Sequence, residues 1–226
     1  MIEIKLPTGE TKQIKGVLFD NDGTLVDTRD LILASMRHAT KVVLGREYSE
    51  EEYMAGVGTP LESQMLDFAN GDQAVADRLT SVYREHNHAA HDQMIGKFDG
   101  IADALSKLKA AGVSLGVVTS KRHALAWHGL EITGLSGYFD FLIGPDDCAE
   151  HKPKPGPILE GCKRMGLDPS ECVYMGDSPY DIQAGNAAGC ATVAVLWGVF
   201  PREALAADAP DFFCGDAREM TAVFGL

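Results

Sequence analysis

The sequence predicts an α/β fold: a parallel sheet covered by helices, with an all-helical block inserted after its first strand. Two observations carry this. After Phe98-Asp99-Gly100, helical segments and short apolar runs alternate strictly, which is the signature of repeated βα units. Before that point, from Arg29 to about Gln93, β-branched clusters are few and the apolar spacing is helical. At 226 residues and 45% hydrophobic, the chain can bury a proper core, as one domain or as one domain with an insertion.

Residues 2–14 alternate apolar and polar around Pro7-Thr8-Gly9 and read as a small β-hairpin. Gly16–Phe19 is the first buried strand. Leu31, Leu33, Ala34, Ala39 and Val42 outline a first helix ending near Gly45. Ser49-Glu50-Glu51-Glu52 is a capped start of a second, Pro60-Leu61 opens a third, and Gln73–His91 forms a fourth. Beyond Gly100 come helix Ile101–Ala111 with Gly112 as its stop, strand Val113–Val118, helix Ala124 to about Leu130 and strand Phe139–Ile143. Helix Pro157–Met165, strand Val173–Met175, helix Asp181–Ala188 ended by Gly189, and strand Thr192–Leu196 complete the series.

A formal charge of −13 argues against nucleic-acid or anionic-membrane partners. An anionic substrate must then be held by local positive charge: a metal, a few Lys or Arg side chains, and helix N-termini. No apolar run is long enough to span a bilayer, and Met1-Ile2-Glu3-Ile4-Lys5 does not resemble a signal peptide. The five cysteines are odd in number and scattered, without a C-x-x-C pair. That pattern favours reduced thiols in a cytoplasm over disulfides or a zinc site, and the cysteines read as small buried residues without chemistry.

Asp20-Asn21-Asp22-Gly23-Thr24 directly follows Val17-Leu18-Phe19. Carboxylates this close repel, and a cation is the usual remedy. Gly23 lets the backbone turn tightly and brings amides near a ligand. A calcium loop would need alternating acids before its glycine and a terminal glutamate, which are missing. In a doubly wound sheet, ligands bind beyond the carboxyl ends of the strands. Those ends carry Asp20 and Asp22, then Thr119-Ser120-Lys121, then Lys152 in His151-Lys152-Pro153-Lys154-Pro155, and Asp177 and Asp181 in Gly176-Asp177-Ser178-Pro179-Tyr180-Asp181. Carboxylates, a hydroxyl and a lysine at successive strand ends make a site for a divalent metal and a phosphoryl group.

These residues resemble, in order and at suitable spacing, the four motifs of the haloacid-dehalogenase (HAD) superfamily, and the resemblance covers almost the whole chain. The helical insertion is similar to that superfamily's first cap class, C1. The resemblance implies Asp20 as the nucleophile that forms an aspartyl-phosphate and Asp22 as general acid/base, giving its backbone carbonyl to the metal. It implies Thr119 as the phosphate-binding hydroxyl, with Ser120 and Gly23 beside it, and Lys152 as the charge-neutralising lysine. Asp177 becomes the magnesium ligand with Asp181 nearby in the metal shell. Magnesium suits a set of hard oxygens without Cys or His. Within the superfamily, dehalogenases lack the second aspartate, and phosphonate-cleaving members carry alanine there and use a cap lysine. Mutases keep Asp22 but typically carry an acidic residue where this chain has Gly176.

In the helical block, His86, His88 and His91 invite a metal reading, but no second His- or Cys-rich segment completes a tetrahedral set. A polar helix face or a substrate contact are the readings left. Tyr83-Arg84-Glu85-His86-Asn87, with His91-Asp92, resembles the cap end of the superfamily's pyrophosphatases and phosphoglycolate phosphatases, which makes Arg84 and His88 candidate substrate contacts. Gly56-Val57-Gly58-Thr59-Pro60-Leu61 joins two cap helices and is read as a specificity loop. Lys121 and Arg122 fit substrate contacts and solvent-facing charges equally, whereas Trp127 and Trp197 read as packing residues.

The expectation is therefore a Rossmann-like α/β core, residues 1–28 and 94–226, with a helical cap at 29–93. The expected function is a Mg2+-dependent phosphohydrolase of a small phosphorylated metabolite, phosphoglycolate or pyrophosphate being the nearest versions. A phosphomutase of the β-phosphoglucomutase kind and a non-catalytic family member are the alternatives. The chain is expected to act as a monomer or homodimer.

Overall fold

The computed structural model describes residues 2–226. In chain order, β1 (Ile2–Lys5) and β2 (Thr11–Ile14) form the expected antiparallel hairpin. β3 (Gly16–Phe19) and β4 (Val26–Asp27) lead into the helices α1 (Arg29–Leu44), α2 (Glu50–Met54), α3 (Leu61–Phe68) and α4 (Gln73–Met94). Then follow β5 (Gly96–Lys97), α5 (Ile101–Ala110), β6 (Ser114–Val118), α6 (His123–Ile132) and β7 (Leu142–Ile143). The chain continues through α7 (Gly156–Met165), β8 (Cys172–Gly176), α8 (Pro179–Ala188), β9 (Ala191–Val195), α9 (Arg202–Ala206) and β10 (Phe212–Cys214).

Helix ends follow local chemistry. Gly45 and Gly166 take left-handed conformations after α1 and α7, where a side chain would be strained. The capped start expected at Ser49 is a reciprocal capping box between Ser49 and Glu52. α4 starts at Asp72, whose carboxylate accepts from the Val75 amide at 3.1 Å.

Six strands form one parallel sheet in the order β10-β9-β8-β3-β6-β7. The chain builds outward from β3 in both directions, so the switch point lies at β3. Phe19 is in register with both Val117 and Met175. The segments after β3, β6 and β8 therefore leave the sheet at one rim, which delivers Asp20, Thr119 and Asp177 to the same place. One sheet face packs the cluster of Val17, Phe19, Val117 and Met175 with Leu105 and Leu130; the other packs Leu18, Val118 and Tyr174 with Ile158 and Cys162.

The inserted helices have a core of their own, with Met36, Tyr53, Met65 and Leu79 buried. Val199 and Phe200, from the loop after β9, pack against it and tie it to the sheet rim. At its root β4 pairs antiparallel with β5, Val26 opposite Lys97, a two-residue ribbon between inserted and main segments.

Two edges differ from expectation. Of Phe139–Ile143 only Leu142–Ile143 is strand, because β7 is an edge that meets β6 through those two residues. Phe139 instead turns inward against Phe19, ring centroids 6.0 Å apart. β10, which the sequence reading did not anticipate, is a three-residue strand laid on β9.

Candidate active site

At the rim of β3, Asp20 is buried and its Oδ1 accepts a hydrogen bond from Lys152 Nζ at 2.9 Å. The same ammonium donates to Asp181 Oδ1 at 2.6 Å and to the Tyr174 hydroxyl at 3.2 Å. All three of its protons are therefore used inside the protein, and its side chain is 1% exposed. Oδ2 of Asp181 accepts from the Ser178 amide at 3.0 Å and the Ser178 hydroxyl at 2.6 Å. This is a capping box at the start of α8: the same Asp181 closes a helix end and steers the lysine. Ser-x-x-Asp was legible in the sequence, but the metal reading of Asp181 concealed it. Tyr174, also overlooked, sits on β8 with its hydroxyl 2.9 Å from the Val118 carbonyl.

Asp177 follows β8 and is held by the Val199 amide, which donates to its Oδ2 at 2.7 Å. A Cβ on Gly23 or on Gly198 would overlap the Asp177 carboxylate, so both glycines are needed for the close approach. Asp20, Asp177 and Asp181 present carboxylate oxygens within 4.8 Å of one another. One lysine thus faces three buried carboxylates. Burial lifts the Asp20 pKa to about 7, with repulsion from Asp181 and Asp22 adding to it and Lys152 opposing. Burial, with Asp181 and Asp20 as neighbours, likewise pushes Asp177 well above the usual carboxylate range. The excess negative charge and the all-oxygen donor set fit a divalent cation.

Asp22 lies on the pocket side. Its Oδ1 accepts from Lys121 Nζ at 2.9 Å and from the Asn21 side-chain Nδ2 at 3.2 Å. Thr119 is buried; its Oγ1 accepts from the Lys121 amide at 3.1 Å, which leaves the hydroxyl proton for an anion. Ser120 reaches the site differently: its hydroxyl donates to the Gly58 carbonyl at 2.7 Å, joining the β6 rim to the loop between α2 and α3. Gln64 holds that loop from the other side through the Thr59 carbonyl at 2.9 Å. Gly58 packs so closely on the core that an added Cβ would stand 2.7 Å from Ser178 Oγ.

Above the carboxylates opens a cavity of ≈ 1370 Å³. Asp20, Asp22, Thr119, Ser120, Lys121 and Asp177 line one side of it, and Arg84, His88 and Glu62 line the side formed by the inserted helices. Arg84 donates to Glu62, and Arg122 stands 3.8 Å from that carboxylate. The structure separates the three histidines of α4. His88 faces the cavity. His86 stacks on His38 and contacts Ser35 Oγ through Nδ1 at 3.1 Å. His91 is buried, and burial lowers its pKa. Asp92 accepts from His91 Nδ1 at 3.0 Å and His128 Nε2 at 3.1 Å, a hydrogen-bonded clamp between α4 and α6. Trp127 and Trp197 pack on the main core, as expected.

The sequence pattern of the Haloacid dehalogenase-like hydrolase family matches residues 17–195. The chain belongs to this family, as its fold and the order of its strand-end residues anticipated. Its relatives include two proteins named pyrophosphatase PpaX. The one from Bacillus velezensis is 33% identical over 215 residues, spanning 95% of this chain and 98% of the relative. The other, from Bacillus pumilus, is 35% identical over 212 residues, 94% of this chain and 97% of the relative. Among solved structures, a "predicted phosphoglycolate phosphatase" from Haemophilus somnus superposes with a TM-score of 0.84 at 26% identity, covering 93% of this chain and 98% of that one. The five cysteines are free thiols, and among the described residues no helix is long and apolar enough to cross a membrane.

Proposed function

We propose that this chain is a magnesium-dependent phosphohydrolase of small phosphorylated metabolites in a reducing cytoplasm, working through a phosphorylated Asp20, with pyrophosphate as the favoured substrate. The observation that carries the reading is the buried Asp20–Lys152–Asp181 chain beside Asp177 at one sheet rim. Asp20, Asp177 and the backbone carbonyl of Asp22 would hold the metal; when bound, it neutralises the phosphoryl oxygens and aligns them for attack. Asp20 attacks phosphorus. Lys152, fixed by Asp181 and Tyr174, offsets the charge brought together at that oxygen. Thr119 donates to a phosphoryl oxygen. Asp22 protonates the leaving oxygen in the first half-reaction and takes a proton from water in the second. Residues 29–93, the cap, close over the first transfer and open for the second, and the Gly58–Ser120 contact is where that closure is read.

The names of the curated relatives support pyrophosphate, and the solved neighbour supports phosphoglycolate as the second reading. A mutase is disfavoured at Gly176: a Cβ there would overlap the Asp181 carboxylate, so the acidic side chain of the mutase pattern has no room. A screen of phosphorylated metabolites by kcat/KM, with Asp20→Asn alongside, tests the reading. The expected result is preference for pyrophosphate or phosphoglycolate over nucleotides, and loss of several orders of magnitude in the folded variant. Activity of Asp20→Asn within tenfold of the parent, or preference for a bulky sugar or nucleotide phosphate, would overturn it.

A further inference from the structure

The distal part of the cavity carries cations from two directions: Arg84 from α4 on the cap, and Arg122 from the loop after β6 on the core. Both point their charge at one carboxylate. Glu62, in the first turn of α3, is bonded by Arg84 and lies 3.8 Å from Arg122. The third cation there, Lys121, is engaged by Asp22 at 2.9 Å. A carboxylate between two guanidinium groups has the charge and fork geometry of the second anionic group that pyrophosphate or phosphoglycolate would bring.

Resting on the phosphohydrolase reading above, we propose that Glu62 is a specificity residue, a built-in competitor for the anion seat between Arg84 and Arg122. A substrate with a second anionic group must displace Glu62 to be held by both arginines. A neutral-tailed ester such as p-nitrophenyl phosphate has nothing to offer them and leaves the pairs in place. Displacement is feasible because the Glu62 side chain is 57% exposed and such pairs are individually weak, each worth about a two- to fivefold factor. A phosphate, with more charge and more oxygens than a carboxylate, wins the exchange, yet pays for it in KM. The exchange also preserves the bridge between cap and core, now made through the ligand.

The test is the ratio of kcat/KM for pyrophosphate, and separately for phosphoglycolate, to that for p-nitrophenyl phosphate in the parent and in Glu62→Gln and Glu62→Ala. The ratio should rise about three- to tenfold, carried by a lower KM for the anionic-tailed substrates. Adding Arg84→Ala or Arg122→Ala should cancel the gain. An unchanged or falling ratio in folded Glu62→Gln would overturn the proposal, a fall meaning that Glu62 presents Arg84 to the substrate. Titration calorimetry with inorganic pyrophosphate in the Asp20→Asn background, which lacks the nucleophile, provides a readout independent of turnover. Binding should tighten by the same factor in Glu62→Gln, and equal Kd values would sink the assignment. If the parent hydrolyses none of these compounds, the phosphohydrolase reading fails by itself, while calorimetry still decides the role of Glu62.

Discussion

Replacing Lys152 by Met removes the ammonium shared by Asp20, Asp181 and the Tyr174 hydroxyl while keeping most of the side chain's volume. Both ion pairs are buried, with side chains of Asp20 and Asp181 at 6% and 0% exposure. Removing one partner of a buried pair costs about 3–5 kcal/mol, because the other charge is left without compensation. In a chain of this size 1 kcal/mol moves Tm by about 2–4 °C, so the expected loss is about 6–20 °C. The assay is thermal unfolding in chelator, with Lys154→Met as control. Lys154 is exposed two residues away and should shift Tm by no more than about 2 °C. Adding magnesium should recover part of the Lys152→Met loss, since the ion places positive charge against the same carboxylates. The variant's kcat/KM should fall at least a hundredfold, the scale of removing one preorganised electrostatic contact. A Lys152→Met protein that melts within about 2 °C of the parent in chelator, or that behaves like Lys154→Met, would show that the buried carboxylates do not depend on Lys152.

The pH dependence of stability follows from the same charge excess. Asp20 is raised from 3.8 to about 7, so the folded state binds its proton more tightly than the unfolded state between those values, and in chelator stability should decline as pH rises through that window. Asp177 acts in the same direction, and saturating magnesium should flatten the slope; a stability that rises from pH 4 to 7 in chelator would contradict this. Activity should vanish in chelator and return with magnesium, while calcium, which prefers larger and more flexible oxygen cages, should restore little; full turnover with the metal demonstrably removed would exclude the metal role. Gly58→Ala puts a Cβ 2.7 Å from Ser178 Oγ at a residue with φ of 100°, so the cap loop must shift off the core. That overpacking should lower kcat/KM about tenfold with a change in Tm of only a few degrees, and parental kinetics would show that the loop does not need to seat there.

The groups confined to strand ends follow from local sequence alone. Apolar runs of four or five residues followed at once by Asp20, Thr119 and Asp177 must place those side chains at one rim, because parallel strands in register end together. Lys152 was legible as the lysine of the third strand-end region, and the family resemblance supplied its role. Other features were settled only when distant segments met. Tyr174 and Val199 hold Lys152 and Asp177 through contacts 22 residues apart in both cases, and neither residue type is distinctive in sequence. Asp92 finds His128 across 36 residues, which turns a histidine-rich helix end into a clamp between α4 and α6. Ser120 and Gly58 meet across 62 residues, tying the sheet rim to the loop between α2 and α3. Arg84 was readable as a candidate substrate contact, but its partner Glu62 was not, because exposed charges on separate helices carry no periodicity that pairs them. Local patterns follow from backbone geometry and burial, which act within a few residues. Charge pairing acts through space, and only the packed chain decides which charges come within reach.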